Sequence, residues 1–122
     1  PLFGTAVGTA ALSTKEDKVV HDLYDRAALM LDGNHSLIAL EGIMKEVRLA
    51  RERGYAIVYE GVLPDSGAIA CPIYLPGREH TLIIAAGGPT QRITRSESAV
   101  ASELLRLRNE NRWREKNLNR AF

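Results

Sequence analysis

The most reactive side chains of this sequence are its single cysteine and its histidines. Cys71 is a nucleophile only if a base lies within hydrogen-bond distance and a third group orients that base. His35 and His80 are the candidate bases. Cys71 lies in an apolar segment directly before Pro72, however, which favours a buried and inert thiol. A small enzyme that uses Cys71 is therefore an alternative, but we predict no catalytic residue.

Other candidates for ligand chemistry are equally sparse. The histidines share no metal-ligand spacing and one cysteine cannot form a multi-thiolate site, so we predict no metal and no cofactor. The glycines of GTAVG at 4–8 and AAGGP at 85–89 could cradle a phosphate. Neither segment has the full fingerprint of a P-loop or a dinucleotide site. Packing and turns are the better explanation of these glycines.

Length and composition favour one globular domain. The chain has 122 residues, of which 45% are hydrophobic and 25% are charged, close to the average for globular proteins. Sixteen basic and fifteen acidic residues give a net charge of +1, which by itself implies no polyanionic partner. No apolar run is long enough to cross a bilayer, and a lone cysteine fits a reducing compartment. We therefore expect a cytoplasmic protein with no membrane partner.

Positive charge concentrates near the C-terminal end, where residues 106–120 include six basic and two acidic side chains. This segment has one aromatic residue, Trp113, and no motif that reads a DNA groove. A solvated helix end is the favoured interpretation. We expect no specific DNA binding by this chain alone.

The helices that would position a site follow from hydrophobic spacing. Small residues over 1–12 predict a short helix, and apolar residues at helical spacing predict a second helix through Met30. A third begins near Leu40, and Gly54 suits the left-handed residue after its last turn. Capping boxes at 13–16 and 94–97 predict the starts of the second helix and of a long final helix.

The strands lie between the third and the final helix. Aromatic and β-branched residues predict strands over 55–59, 68–74 and 81–86. Pro72 favours an edge or bulge position in the second strand, and the third is apolar enough to be buried on both faces. The order α, α, α, β, β, β, α predicts an α/β (α+β) fold.

Four segments, in order, resemble motifs of the isocitrate lyase regulator (IclR) family of bacterial transcription factors. PLFGTAVGTAALS at 1–13 is similar to the family's PLHATALGKALLA-type segment, and LARERGYA at 49–56 resembles IRARGYA. ACPIY at 70–74 resembles AAPVF, and GPTQRIT at 88–94 resembles GPxSRLT. The resemblance covers almost the whole chain.

This resemblance implies a sensor rather than an enzyme. It implies a GAF-like effector-binding domain, with helices packed on a curved antiparallel sheet, that forms a homodimer or tetramer. Residues 1–122 would be a partial effector-binding domain whose first part is missing. Operator DNA would be bound only through a separate N-terminal winged helix-turn-helix domain that this chain lacks. A ligand-free dimerisation module is a second alternative.

The resemblance also implies an effector site. The backbone amides of Ala6 and Val7, at the start of the small-residue helix, would hold an anion. Polar side chains that hold small oxo-acids in some members are replaced in this sequence by Val58, Ala68, Ala85 and Gly87. We therefore expect a small-molecule effector that is larger and more apolar than glyoxylate.

Overall fold

Four helices and a three-stranded sheet make up the chain in the computed structural model. It describes residues 2–31, 38–61, 63–74, 77 and 81–121, with side chains as far as residue 110. The helices are α1 (Ala6–Ser13), α2 (Asp17–Met30), α3 (Leu40–Arg53) and α4 (Thr90–Ala121), and the strands are β1 (Ala56–Tyr59), β2 (Ser66–Ile73) and β3 (Leu82–Pro89). The predicted order of elements and the α+β class are confirmed.

The sheet has the order β1-β2-β3, and both pairs of strands are antiparallel. Successive side chains of a strand point to opposite faces. On one face, Ala70 of β2 packs with alanines of α1 and α3. On the other face, Ile69 and Cys71 pack under Ile93 and Leu104 of α4. The sheet is thus the middle layer between α4 and the remaining helices.

The contact between α1 and the sheet consists of very small side chains. Ala6 and Ala10 of α1 are buried with Ala56 of β1 and Ala70 of β2. Small side chains allow the helix axis to approach the strands closely, so the contact excludes water without large residues. A separate cluster of Leu12, Val20, Ile43, Met44 and Val47 joins α1 to α2 and α3.

Neither predicted capping box begins a helix. Ser13 and Thr14 lie at the end of α1, where their hydroxyls donate to the carbonyls of Ala10 and Ala11 at 2.6 and 2.7 Å. The residue before α2, Glu16, makes no side-chain capping bond. The box at 94–97 lies inside α4, which begins at Thr90. A Ser or Thr hydroxyl can bond a carbonyl of the preceding turn as readily as it caps the next helix.

The prediction that the third strand is buried on both faces is wrong. Leu82 and Ile84 are 44% and 37% exposed, and Ala85 is exposed on the opposite face. The reason is that β3 is an edge strand, whereas β2 in the centre is covered on both sides. Pro72 lies in β2, but at a point where only β3 is a neighbour, because the pairing of β1 ends at Ala70. Its missing N–H group therefore interrupts no pairing with β1.

Gly8 tests the close packing of α1. A Cβ atom added there would lie 1.9 Å from the carbonyl oxygen of Leu2, and backbone would have to move. We expect Gly8→Ala to lower the free energy of unfolding by about 1–3 kcal/mol, measured by chemical denaturation. Gly42→Ala is the matched control, because its Cβ would meet only Ile38 at 3.8 Å. That substitution should stabilise α3 by about 0.5–1 kcal/mol. Equal effects would contradict the packing argument.

Candidate functional site

An open cavity of about 540 Å³ lies where the N-terminal end of α1 meets the sheet and the turn between β1 and β2. Five of the six residues predicted for the effector site line it, namely Ala6, Val7, Val58, Ala68 and Gly87. These residues come from α1 and from all three strands. The fold therefore brings together positions that are up to 81 residues apart in the sequence.

The floor of this effector cavity is one row of the sheet. Val58 of β1 is paired with Ala68 of β2, and Ala68 is paired with Gly87 of β3. Directly opposed residues point to the same face and lie about 5 Å apart. The row offers apolar surface and no side-chain hydrogen-bonding group.

The predicted sixth residue, Ala85, does not line the effector cavity. It lies on the same face of the sheet as Gly87, but it is paired with Ala70 in the neighbouring row. In this row Ala56 and Ala70 lie beneath α1, whereas Ala85 is exposed on the edge strand. The sequence correctly puts Ala85 and Gly87 on one face, but spacing alone cannot tell where the helix covers that face.

The N-terminal end of α1 is shaped by Thr5. Its extended backbone precedes the helix, and its Oγ1 accepts a hydrogen bond from the Gly8 N–H group at 3.0 Å. The first bond of the helix backbone runs from the Thr9 N–H group to the Thr5 carbonyl at 2.9 Å. The N–H groups of Ala6 and Val7 precede this bond and have no acceptor within the helix. They carry the positive end of the helix dipole beside the cavity.

Sequence analysis missed the contribution of the β1–β2 turn. Asp65 and Ser66 of this turn line the cavity. The backbone of Asp65 is held on both sides, since its N–H group donates to Glu60 at 3.3 Å and its carbonyl accepts from Thr90 at 2.9 Å. The Pro-Asp-Ser-Gly segment is evident as a turn in the sequence, but its position over the sheet depends on the hairpin.

A second cavity of about 470 Å³ adjoins the first. It lies between α1, α3 and β1, and it shares Val58 and Gly61 with the effector cavity. Its lining includes Leu12 and Ile43 from the helical core, with the carboxyl groups of Glu46 and Glu60. Its lining includes Val58 from the apolar row, but neither Ala68 and Gly87 nor the first residues of α1, Ala6 and Val7.

The predicted burial of Cys71 is confirmed. Cys71 is fully buried, and its Sγ donates to the carbonyl of Gly54 at 3.3 Å. Its candidate bases, His35 and His80, lie outside the described residues. Within the part of the chain that the structure describes, no group of three or more His, Cys, Asp or Glu side chains is arranged to hold a metal ion. No described helix has both the length and the apolarity to span a membrane.

Comparison with known proteins agrees with the fold. The family model described as bacterial transcriptional regulator IclR C-terminal matches residues 1–110. The curated proteins include no match.

Solved structures extend this comparison. The effector domain of the transcriptional regulator IclR from Acinetobacter sp. ADP1 has a TM-score of 0.78 and 21% identity over 92% of this chain and 65% of that one. A double mutant of the PobR inducer-binding domain from Acinetobacter, in complex with 3-hydroxybenzoic acid, has a TM-score of 0.71 and 19% identity over 90% and 66%. IclR of Thermotoga maritima has a TM-score of 0.72 and 18% identity, over 93% of this chain and 47% of that one. The chain thus spans about two thirds of these effector domains and half of a longer regulator.

The cap at Thr5 can be tested without a ligand. Thr5→Ala removes the acceptor of the Gly8 N–H group, and we expect the free energy of unfolding to fall by about 1 kcal/mol. Thr5→Ser keeps the oxygen and should retain most of that stability. The measurement is chemical denaturation of the three proteins. Equal destabilisation by both substitutions would show that the hydroxyl does not cap α1.

Proposed function

Because the chain belongs to the C-terminal domain family of IclR-type bacterial transcriptional regulators, we propose that it senses a small-molecule effector in the 540 Å³ cavity. One observation carries this proposal. Five residues predicted from separate parts of the sequence line a single cavity between α1 and the sheet. The volume lies within the range of about 300–1,000 Å³ that is usual for small-molecule sites.

The apolar row selects against a compact acid. A hydrogen bond to a charged ligand is worth about 1.5–3 kcal/mol, and Val58, Ala68 and Gly87 have no side-chain group to make one. The absence of two such bonds weakens binding by about a hundredfold or more. A ring-bearing ligand recovers free energy by burying apolar surface, at about 25 cal/mol per Å². The effector is therefore larger and more apolar than glyoxylate or pyruvate.

The polar groups of the cavity indicate which polar substituents such a ligand needs and where they would bind. A carboxylate at the N–H groups of Ala6 and Val7 would receive hydrogen bonds and the favourable field of the helix dipole. The Asp65 carboxylate repels a second anionic group but accepts a hydrogen bond from a hydroxyl. The effector that best fits these groups is an aromatic acid with a hydroxyl substituent. The PobR domain, which shares the fold, is in complex with an acid of this class.

The effector domain would act as part of a larger regulator. In this proposal the protein is a cytoplasmic homodimer or tetramer, and operator DNA is bound by a separate N-terminal domain outside residues 1–122. Ligand binding alters operator affinity because the ligand stabilises one arrangement of the assembly over another. The role of this chain is sensing and assembly, with no catalytic step.

The ligand class can be tested by isothermal titration of the purified protein. We expect 3-hydroxybenzoate or a related aromatic hydroxy acid to bind at least about a hundredfold more tightly than glyoxylate or pyruvate, because the apolar row replaces polar contacts. Micromolar binding of glyoxylate or pyruvate, with no response to the aromatic acids, would contradict the proposal.

Two variants locate the ligand in the same titration. Gly87→Leu puts an isobutyl group into the cavity, and a Cβ at this position makes only ordinary contacts at 3.6 and 3.9 Å. Ala85→Leu is the control, because it adds apolar bulk to the same strand and face outside the cavity. Binding should weaken at least about tenfold in Gly87→Leu and stay unchanged in Ala85→Leu. Equal weakening would extend the site along the sheet to Ala85.

A further inference from the structure

The opposite end of α1 borders a third, much smaller cavity with different chemistry. This polar cavity of about 150 Å³ lies between the C-terminal ends of α1 and α3, the end of β2 and one face of α4. Its polar lining consists of Ser13, Thr14, Arg51, Tyr74 and Arg108, and no acidic side chain is among its described lining residues. Because α1 has eight residues, this cavity lies about 12 Å from the effector cavity.

Arg108, which also lines this cavity, forms no salt bridge with any residue that the structure describes. Its Nε atom is buried and has no hydrogen-bond partner among the described residues. The guanidinium group lies against Gly54, the C-cap residue of α3. A Cβ added at Gly54 would be 2.6 Å from Nη1 of Arg108. A buried donor without a partner is costly, and a charged one more so. Because Nε is covered, an anion in the cavity would balance this charge through the terminal N–H groups of Arg108.

Arg51, on the other side of the cavity, is already fixed and neutralised. Its Nη1 donates to Asp17 at 2.5 Å, its Nη2 donates to the carbonyl of Lys15 at 2.7 Å, and its Nε lies 3.4 Å from the carbonyl of Ser13. The bond from Arg51 lowers the pKa of Asp17. A guanidinium has five N–H donors, so Arg51 keeps two of them after these three bonds.

The C-terminal ends of α1 and α3 supply no hydrogen-bond acceptor to Arg108 among the described residues. Carbonyl groups at a helix C-terminus attract cations, which explains why two arginines lie here. The described residues nevertheless include no carbonyl that accepts a hydrogen bond from Arg108. The hydroxyls of Ser13 and Thr14 donate to α1 instead. The free donors at the cavity are thus those of the guanidinium groups.

We propose that this cavity binds a small oxyanion, such as phosphate or a free carboxylate, through the guanidinium of Arg108. Two parallel N–H donors of an arginine match two oxygens of such an anion. The volume holds an oxyanion and a water molecule, since water occupies about 30 Å³, and the polar lining suits an anion better than an apolar ring. Because Arg51 belongs to α3 and Arg108 belongs to α4, the anion would connect these two helices. This proposal does not depend on the ligand of the effector cavity.

Inorganic phosphate is the probe for this site. The melting temperature of the purified protein is measured while phosphate replaces chloride at constant ionic strength. A specific site gives a rise that saturates with concentration, because the anion binds only the folded state. No phosphate-specific rise in the wild-type protein would overturn the proposal.

Arg108→Gln and Arg106→Gln form a matched pair, because both remove one positive charge from α4. Arg106 is exposed and already paired with Glu103 and Glu110. We expect Arg108→Gln to weaken the phosphate effect at least about tenfold and Arg106→Gln to leave it unchanged. Equal loss in both variants would mean that phosphate acts only through net charge, and would also overturn the proposal.

A second measurement needs no variant. The Nε–H resonance of Arg108 should move during phosphate titration of the wild-type protein, while that of Arg106 should stay in place. An Arg108 signal that does not respond would contradict the assignment even if Arg108→Gln failed to fold.

Discussion

The close approach of α1 to the sheet is the constraint on which the rest of the structure depends. Ala6 and Ala10 lie against Ala56 and Ala70 with almost no side-chain volume between the backbones. On another side of α1, the backbone of Leu2 leaves no room for a Cβ atom at Gly8. Because interiors are close-packed, any larger residue in this contact would lift α1 from the strands. The position of both ends of α1, and therefore the shape of the two cavities that they border, depends on it.

The effector cavity combines backbone donors with an apolar floor. Its hydrogen-bond donors are the first N–H groups of α1, which the fold supplies whatever the side chains are. Under the proposed function, the row of Val58, Ala68 and Gly87 would determine which anionic ligands bind well beside these donors. A compact acid would use the donors but leave apolar surface exposed, whereas an aromatic acid uses both. In the proposed site, the side chains of the sheet would therefore select the ligand class, and the helix end would orient the ligand.

The sequence was sufficient for the order of the elements, which depends on local patterns, and the family resemblance identified five residues that line one cavity. Helical spacing located α2 and α3, and the φ of +88° at Gly54 follows from the preference of glycine after a last turn. The family resemblance also identified Val58, Ala68 and Gly87. These residues share one face of the sheet because directly paired residues of neighbouring strands point to the same side.

The failures share a different cause, namely tertiary context. The exposure of Ile84 depends on which strand is at the edge, and the apolar character of β3 does not reveal it. Ser13 and Thr94 bond to preceding carbonyls, so their place in a capping-box pattern was misleading. Asp65 and Arg108 reach their cavities through a hairpin and a helix packing that no local pattern specifies.

The most direct test of the account follows the backbone amide resonances of Ala6 and Val7 while 3-hydroxybenzoate is added to the isotope-labelled protein. If the carboxylate accepts hydrogen bonds from these two N–H groups, their signals move further than any others and shift downfield. Val58 and Gly61 border both large cavities, so their response does not distinguish between them. Shifts concentrated at Gly42 and Glu46, with Ala6 and Val7 unmoved, would place the ligand in the neighbouring cavity and contradict the account.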